Sequence, residues 1–214
     1  MWVVPFVLGC YHGANPAMGW LFAVALGLQE RKTRAVAVAI VPIAIGHLAS
    51  VALIVTIALF AAAILPQAAV RAAAAVLLIG FGISRLIRAR HPRWVGMRVG
   101  LGGLSVWGFV MATAHGAGLM LLPFVLPTHA HADRTAMTMP MPMPTQSVDT
   151  VGHSVARGLA LVGVHTLGYL LVATAVALLV YHWLGLKLLR TAWFNGDLLW
   201  AGVLIATGVI AFVT

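Results

Sequence analysis

Four histidines in this sequence have the side-chain type and spacing for metal binding or proton transfer. His12, His47, His115 and His165 each lie inside a long apolar segment. At 1.5 Å per helical residue, all four are predicted to lie within about one helical turn of the bilayer centre. A neutral imidazole binds transition metals and can also carry a proton, and an ionisable residue at that depth indicates function by default. The four residues therefore predict an intramembrane metal site.

The sequence around these histidines repeats. The triplet His-Gly-Ala begins at His12 in the first apolar segment and at His115 in the fourth. His47 follows the first triplet by 35 residues and His165 follows the second by 50, so removing about 15 residues of a polar loop aligns the halves. Because each half has three apolar segments, an odd number, the second half would be inverted. Inverted-repeat transporters have this plan, with their sites near the midplane.

Asn15 and Pro16 predict a break in the first helix, just after His12. Proline has no N–H for the carbonyl four residues back and biases the preceding residue away from helical geometry. We therefore expect Asn15 to cap a second half-helix and Pro16 to begin it; the alternative is an ordinary proline kink. Gly116 and Gly118 allow an equivalent break in the fourth segment.

A polar loop, residues 128–154, carries a second group of candidate ligands. It contains two histidines and four methionines on alternate positions: His129, His131, Met137, Met139, Met141 and Met143. Soft thioether sulfur favours Cu(I), while imidazole suits copper, zinc and nickel. We expect this loop to collect metal. The alternative is a low-complexity linker whose methionines have no role.

The composition indicates a membrane protein. Of 214 residues, 62% are hydrophobic and 8% are charged, whereas a soluble domain has about 25% charged residues. The formal charge of +9 does not indicate a nucleic-acid partner, because the basic residues stand in short runs between apolar segments. At roughly 20 apolar residues per span, the chain is predicted to be one transmembrane domain, residues 1–214, in contact with the lipid bilayer.

The apolar segments predict an all-α, polytopic membrane protein with six transmembrane helices. Basic runs, prolines or the polar loop bound them, at residues 2–28, 35–65, 68–87, 100–126, 155–181 and 194–213. The two inverted three-helix repeats are expected to cover approximately residues 1–98 and 99–214.

Positive charge predicts the orientation in the membrane. Ten of the 13 lysines and arginines lie at residues 31–34, 85–98 and 187–190, and the other three are Arg71, Arg134 and Arg157. The positive-inside rule places the side with ten in the cytoplasm. Both termini and the 128–154 loop are then extracytoplasmic. We expect a multi-pass cell-membrane protein of a bacterial inner membrane.

Copper is the metal that these residues favour. The sequence has four acidic residues, Glu30, Asp133, Asp149 and Asp197, and none is near the middle of an apolar segment. A divalent ion among four histidines would therefore carry uncompensated charge in a low dielectric, whereas the single charge of Cu(I) costs less. Iron, zinc and nickel remain alternatives.

The inverted three-plus-three plan, with His12-Gly13 and His115-Gly116, resembles the lysine-exporter superfamily in its broad sense. That grouping includes nickel/cobalt-efflux permeases, cytochrome-biogenesis membrane proteins and urease-accessory-like membrane proteins. The resemblance covers the whole chain in topology and implies a small permease. The first helix has no histidine–aspartate signature of the nickel/cobalt permeases, which counts against nickel transport. The single cysteine, Cys10, excludes electron transfer by dithiol exchange.

Three functions are compatible with these features. The prediction is a transporter or delivery protein for a transition metal, above all copper, with an extracytoplasmic metallochaperone as a further partner. The first alternative is a membrane metalloenzyme, in which the histidines fix a permanent copper or iron centre. The second is an exporter of an amino acid or another small solute, with the histidines carrying protons. The enzyme question stays open, although no nucleotide-binding or nucleophile motif is present in the sequence.

Overall fold

The computed structural model describes residues 2–87, 100–126, 148–184 and 196–213. Within them the chain forms no strand and eight α-helices: α1 (Val3–Ala14), α2 (Trp20–Glu30), α3 (Thr33–Ile64), α4 (Gln67–Ile87), α5 (Leu101–Ala114), α6 (Leu122–Val125), α7 (Val148–Leu179) and α8 (Gly196–Val213). Short 3-10 turns, Pro16–Met18 and Leu119–Leu121, precede α2 and α6, and a π-helical turn, Val180–Leu184, extends α7. The all-α prediction is confirmed for these residues.

Three helical stretches are long and apolar enough to cross a membrane: Thr33–Ile64, Gln67–Ser84 and Ser154–Trp183. A fourth crossing is present if α5 and Leu119–Val125, bent by 51° at the break between them, count as one span. The remaining apolar helices, α1, α2 and Ala201–Phe212, are shorter. Long apolar helices are therefore confirmed.

The helix of the fifth predicted segment begins earlier than predicted. α7 starts at Val148, so the last part of the predicted 128–154 loop is helical. Hydropathy marks the part of a helix that suits the bilayer, whereas the backbone hydrogen bonds of a helix continue into polar sequence.

The break predicted at Asn15 and Pro16 is present in the structure. α1 ends at Ala14, and Asn15 takes an extended conformation. The side-chain oxygen of Asn15 accepts a hydrogen bond from the Ala17 N–H at 2.9 Å, as an N-cap does. Asn15 is therefore an N-cap, as predicted, although not of the predicted element.

The element that Asn15 caps differs from the predicted half-helix. It is the 3-10 turn Pro16–Met18, after which Gly19 adopts a φ of +107°. Only glycine takes that backbone conformation readily. The second half-helix, α2, therefore begins at Trp20 and not at Pro16.

The fourth predicted segment is also interrupted near its His-Gly-Ala triplet. α5 ends at Ala114, His115 is its C-cap, and Gly116 turns the chain with a φ of +68°. The chain continues through the turn Leu119–Leu121 into α6. The first helix therefore ends with its His-Gly-Ala triplet, at Ala14, whereas the helix of the second half ends just before its own triplet, at Ala114.

Side chains donate hydrogen bonds to backbone carbonyls that lose their helical partners at the first break. Three aromatic residues donate to them: Trp20 Nε1 to Ala14 at 3.3 Å, Trp107 Nε1 to Ala17 at 3.1 Å, and the Tyr169 hydroxyl to Met18 at 3.1 Å. The His12 carbonyl, which Pro16 cannot serve, accepts from the Asn15 N–H at 3.1 Å. Because these carbonyls already accept hydrogen bonds, side chains and not the backbone supply the ligand atoms of any binding site nearby.

Glycines let the histidine-bearing helices pack backbone to backbone. A methyl group at Gly9 would overlap the carbonyl of His165, and one at Gly46 would overlap the carbonyl of Ser105. α1 therefore lies directly on α7, and α3 on α5. The other extensive pairings are α3 with α7 and α4 with α8, so α1, α3, α5 and α7 surround the centre of the described fold.

Candidate functional site

Three of the four predicted histidines meet in the centre of the fold. The ring centres of His12 and His165 are 5.0 Å apart, those of His47 and His165 are 5.5 Å apart, and those of His12 and His47 are 5.7 Å apart. All three side chains are 0% exposed. The structure thus brings residues from three helices, distant in sequence, into one imidazole cluster, which we call the histidine cluster (His12, His47 and His165).

Backbone carbonyls fix the tautomer of two members of the histidine cluster. The Nδ1 atom of His12 lies 2.9 Å from the Leu8 carbonyl, and that of His165 lies 3.2 Å from the Pro5 carbonyl. A carbonyl only accepts, so each Nδ1 must carry the proton. In the neutral ring the lone pair then resides on Nε2, which is how metal-binding histidines are held in proteins.

His47 is held in a different way from its neighbours. Among the described residues neither of its ring nitrogens has a hydrogen-bond partner, and both are buried. Its ring instead stacks on that of Tyr169, with centres 4.1 Å apart and planes 3° apart. Stacking leaves both nitrogens of His47 available for a ligand.

His115, the fourth predicted histidine, lies beside the cluster. It is 1% exposed and its Nδ1 donates to the Met111 carbonyl at 2.8 Å, one turn back along α5. This repeats the bond from His12 to Leu8 in the other half. Its helix, α5, packs extensively on α3, which carries His47.

Tyr169 is a site residue that the sequence analysis missed. It is 0% exposed, stacks on His47 and donates through its hydroxyl to the Met18 carbonyl. The available signal was its spacing, because a residue four positions after His165 lies on the same face of a helix. A tyrosine at that position, inside an apolar helix, needs a buried acceptor for its hydroxyl.

A hydrogen bond between α3 and α5 was also missed. Thr113 donates to the Phe109 carbonyl at 2.9 Å, so its oxygen accepts from the Ser50 hydroxyl at 2.8 Å. Ser50 is one helical turn after His47, and Thr113 is two residues before His115. The bond therefore fixes the two helices beside the site.

The predicted ligands of the polar loop lie outside the described residues. These are His129, His131, Met137, Met139, Met141 and Met143. Other methionines do lie in the core, since Met18 (1% exposed) is in the turn at the first break and Met120 (0% exposed) is in the turn at the second. Each break thus carries one buried thioether.

The histidine cluster is not a preformed metal site. In the four described ranges no group of three or more His, Cys, Asp or Glu side chains is arranged to hold a metal ion as it stands. Glu30, the one acidic residue whose side chain the structure describes, is the last residue of α2 and is exposed. Among the described side chains, the cluster therefore offers neutral nitrogen donors without a nearby anion.

Comparisons with known proteins give no further guide to this site. No protein-family model matches the chain, and no curated protein and no solved structure matches it.

Proposed function

We propose that this protein is an integral membrane transporter or delivery protein for a transition-metal ion, with copper as the favoured ion. The observation that carries the proposal is the histidine cluster: three fully buried imidazoles within 5.7 Å of one another. In two of them a carbonyl holds the proton on Nδ1 and leaves the lone pair on Nε2.

The ring separations support binding of a single ion. Metal–nitrogen bonds of about 2.0–2.1 Å hold the ring centres about 3.2 Å from the ion, and therefore roughly 5.2–5.5 Å from each other at tetrahedral to trigonal angles. The observed separations are 5.0, 5.5 and 5.7 Å. The ring centres therefore already have about the spacing that one bound ion requires.

The charges and soft donors near the site support copper. A single charge is the easiest to accommodate where the described acidic side chain, Glu30, lies exposed at a helix end. Met18 and Met120 place a thioether at each break, and thioethers select Cu(I). Iron, zinc and nickel are less well matched for the same two reasons.

Six spans in two inverted repeats are part of the proposal. The first span would combine α1 and α2 and the fourth α5 and α6, with α3, α4, α7 and α8 as the others. Exchanging the two halves converts the α1–α7 pairing into the α5–α3 pairing and leaves the α3–α7 and α4–α8 pairings unchanged. These four are the most extensive helix pairings in the described fold, so they support two repeats that exchange with each other.

The breaks favour transport over a permanent metal centre. The first interrupts a helix at Asn15, three residues after His12, and the second turns the chain at Gly116, next to His115. Transporters use such discontinuous helices to build a site that opens to alternate sides, whereas a resident metal centre benefits from rigid elements. In this proposal the protein lies in a bacterial inner membrane with both termini and the 128–154 loop outside, where the loop collects metal from a metallochaperone.

Replacing His12 by alanine tests the proposal. We expect anaerobic Cu(I) uptake into proteoliposomes to fall at least about tenfold, because one of three nitrogen ligands is lost. His182→Ala is the matched control, since His182 is an exposed histidine of the turn after α7. Unchanged uptake by a folded His12→Ala protein would refute transport through this cluster. Copper that wild type retains against strong chelators would indicate a metalloenzyme instead.

A further inference from the structure

We propose that Tyr169 is a positioning residue, whose ring orients His47 for the metal and whose hydroxyl couples that ligand to the break in the first span. This inference rests on the transport function proposed above. It assigns one task to the ring and another to the hydroxyl of Tyr169, and the hydroxyl can be removed while the ring stays.

The ring of Tyr169 takes the place of a missing hydrogen bond. His12, His115 and His165 each donate from Nδ1 to a backbone carbonyl, which fixes the orientation of the ring. In the described part of the chain His47 has no such bond, and the stack on Tyr169, with centres 4.1 Å apart and planes 3° apart, is closer than its ring contacts with His165 and His12. Groups that orient a metal ligand from behind tune its affinity.

The hydroxyl of Tyr169 reaches the break itself. It donates to the carbonyl of Met18 at 3.1 Å across 151 positions of sequence. Met18 ends the turn capped by Asn15 and directly precedes Gly19, where the chain enters α2. The bond is buried, and a hydrogen bond in a low dielectric is stronger than one in water.

The position of Tyr169 on α7 connects these contacts. Tyr169 is four residues after His165 on one continuous helix, so the two side chains share a face. A methyl group at Gly13 would overlap the Tyr169 carbonyl, so α1 also rests on the helix at this point. Tyr169 therefore contacts His47 of α3, the α1 backbone at Gly13, and the turn at the first break. A shift of His47 when an ion binds would move the tyrosine whose hydroxyl holds the Met18 carbonyl.

Two substitutions separate the tasks of the ring and the hydroxyl. Tyr169→Phe keeps the stack on His47 and removes the bond to Met18, so we expect Cu(I) affinity within about twofold of wild type and transport turnover about tenfold lower. Tyr169→Leu removes both, so we expect affinity to fall about tenfold as well. Tyr181→Phe, at the π-helical turn after α7, is the control for the loss of a tyrosine hydroxyl.

A second readout needs no metal. Amide hydrogen exchange, followed by mass spectrometry on a peptide covering residues 14–20, should be faster in metal-free Tyr169→Phe than in wild type. The Tyr181→Phe protein should exchange at the wild-type rate in that peptide. A merely structural role would instead lower thermal stability and reduce affinity and turnover together.

The outcomes are distinct. Wild-type turnover and wild-type exchange in Tyr169→Phe would overturn the role of Tyr169 and leave the proposed function standing. A parallel loss of affinity, turnover and stability in that variant would also overturn it, because the hydroxyl would then only support the fold. If wild type itself neither binds nor transports Cu(I), the proposed function fails and this inference fails with it.

Discussion

Replacing His47 by phenylalanine is expected to lower the affinity for Cu(I) at least about a hundredfold, because it removes a ligand rather than a supporting contact. The same change should leave the metal-free protein no less stable than wild type. His47 has two buried nitrogens without a hydrogen-bond partner in the described residues, and an unsatisfied buried polar group costs about 1–3 kcal/mol. Phenylalanine removes that cost and keeps an aromatic ring against Tyr169.

Competition against a chromogenic Cu(I) chelator measures the affinity, and thermal unfolding in detergent measures the stability. His182→Phe is the control, because it makes the same change in a histidine outside the cluster. Wild-type affinity in His47→Phe would remove His47 from the site. A lower unfolding temperature together with weaker binding would show that His47 serves the fold.

Closing the first break is expected to slow transport at least about tenfold while changing Cu(I) affinity much less. In the double variant Asn15→Ala, Pro16→Ala the new N–H at position 16 can donate to the His12 carbonyl. A proline inside a helix costs about 3 kcal/mol and an asparagine cap contributes about 1 kcal/mol. The balance then moves toward a continuous helix by about 4 kcal/mol, or roughly a thousandfold.

Uptake rate and Cu(I) affinity should be measured on the same purified preparation. Pro42→Ala is the matched control, because Pro42 lies inside the continuous helix α3 and its removal should not slow transport. A double variant that transports at the wild-type rate would show that the break is an incidental feature of the fold. Equal losses of affinity and rate would place Asn15 and Pro16 in the binding site itself.

The parts of the structure that local chemistry dictates were predictable from the sequence. Pro16 lacks an N–H and Asn15 is a strong cap, so the first break follows from these two residues alone. The grouping of His12, His47 and His165 was predictable for another reason: their distances from the segment ends predict one depth for all three, as they do for His115.

The contacts that depend on how helices rotate against each other were not predictable. The stack of Tyr169 on His47 requires a particular rotation of α7 relative to α3, and that rotation depends on where the helix backbones can touch. Gly9 and Gly46 set these close approaches, yet nothing in their sequence surroundings identifies the carbonyl that each one meets. The second break also needed the structure, because Gly116 permits a positive φ without requiring it.

Metal content is the decisive test of the histidine cluster. Purified wild type and a variant with His12, His47, His115 and His165 all changed to alanine should be loaded anaerobically with Cu(I), desalted and analysed for copper. We expect about one ion per chain in wild type, held by imidazole and thioether donors, and none in the variant. A wild-type protein that holds no copper after loading would contradict the metal site and favour a histidine-dependent solute carrier.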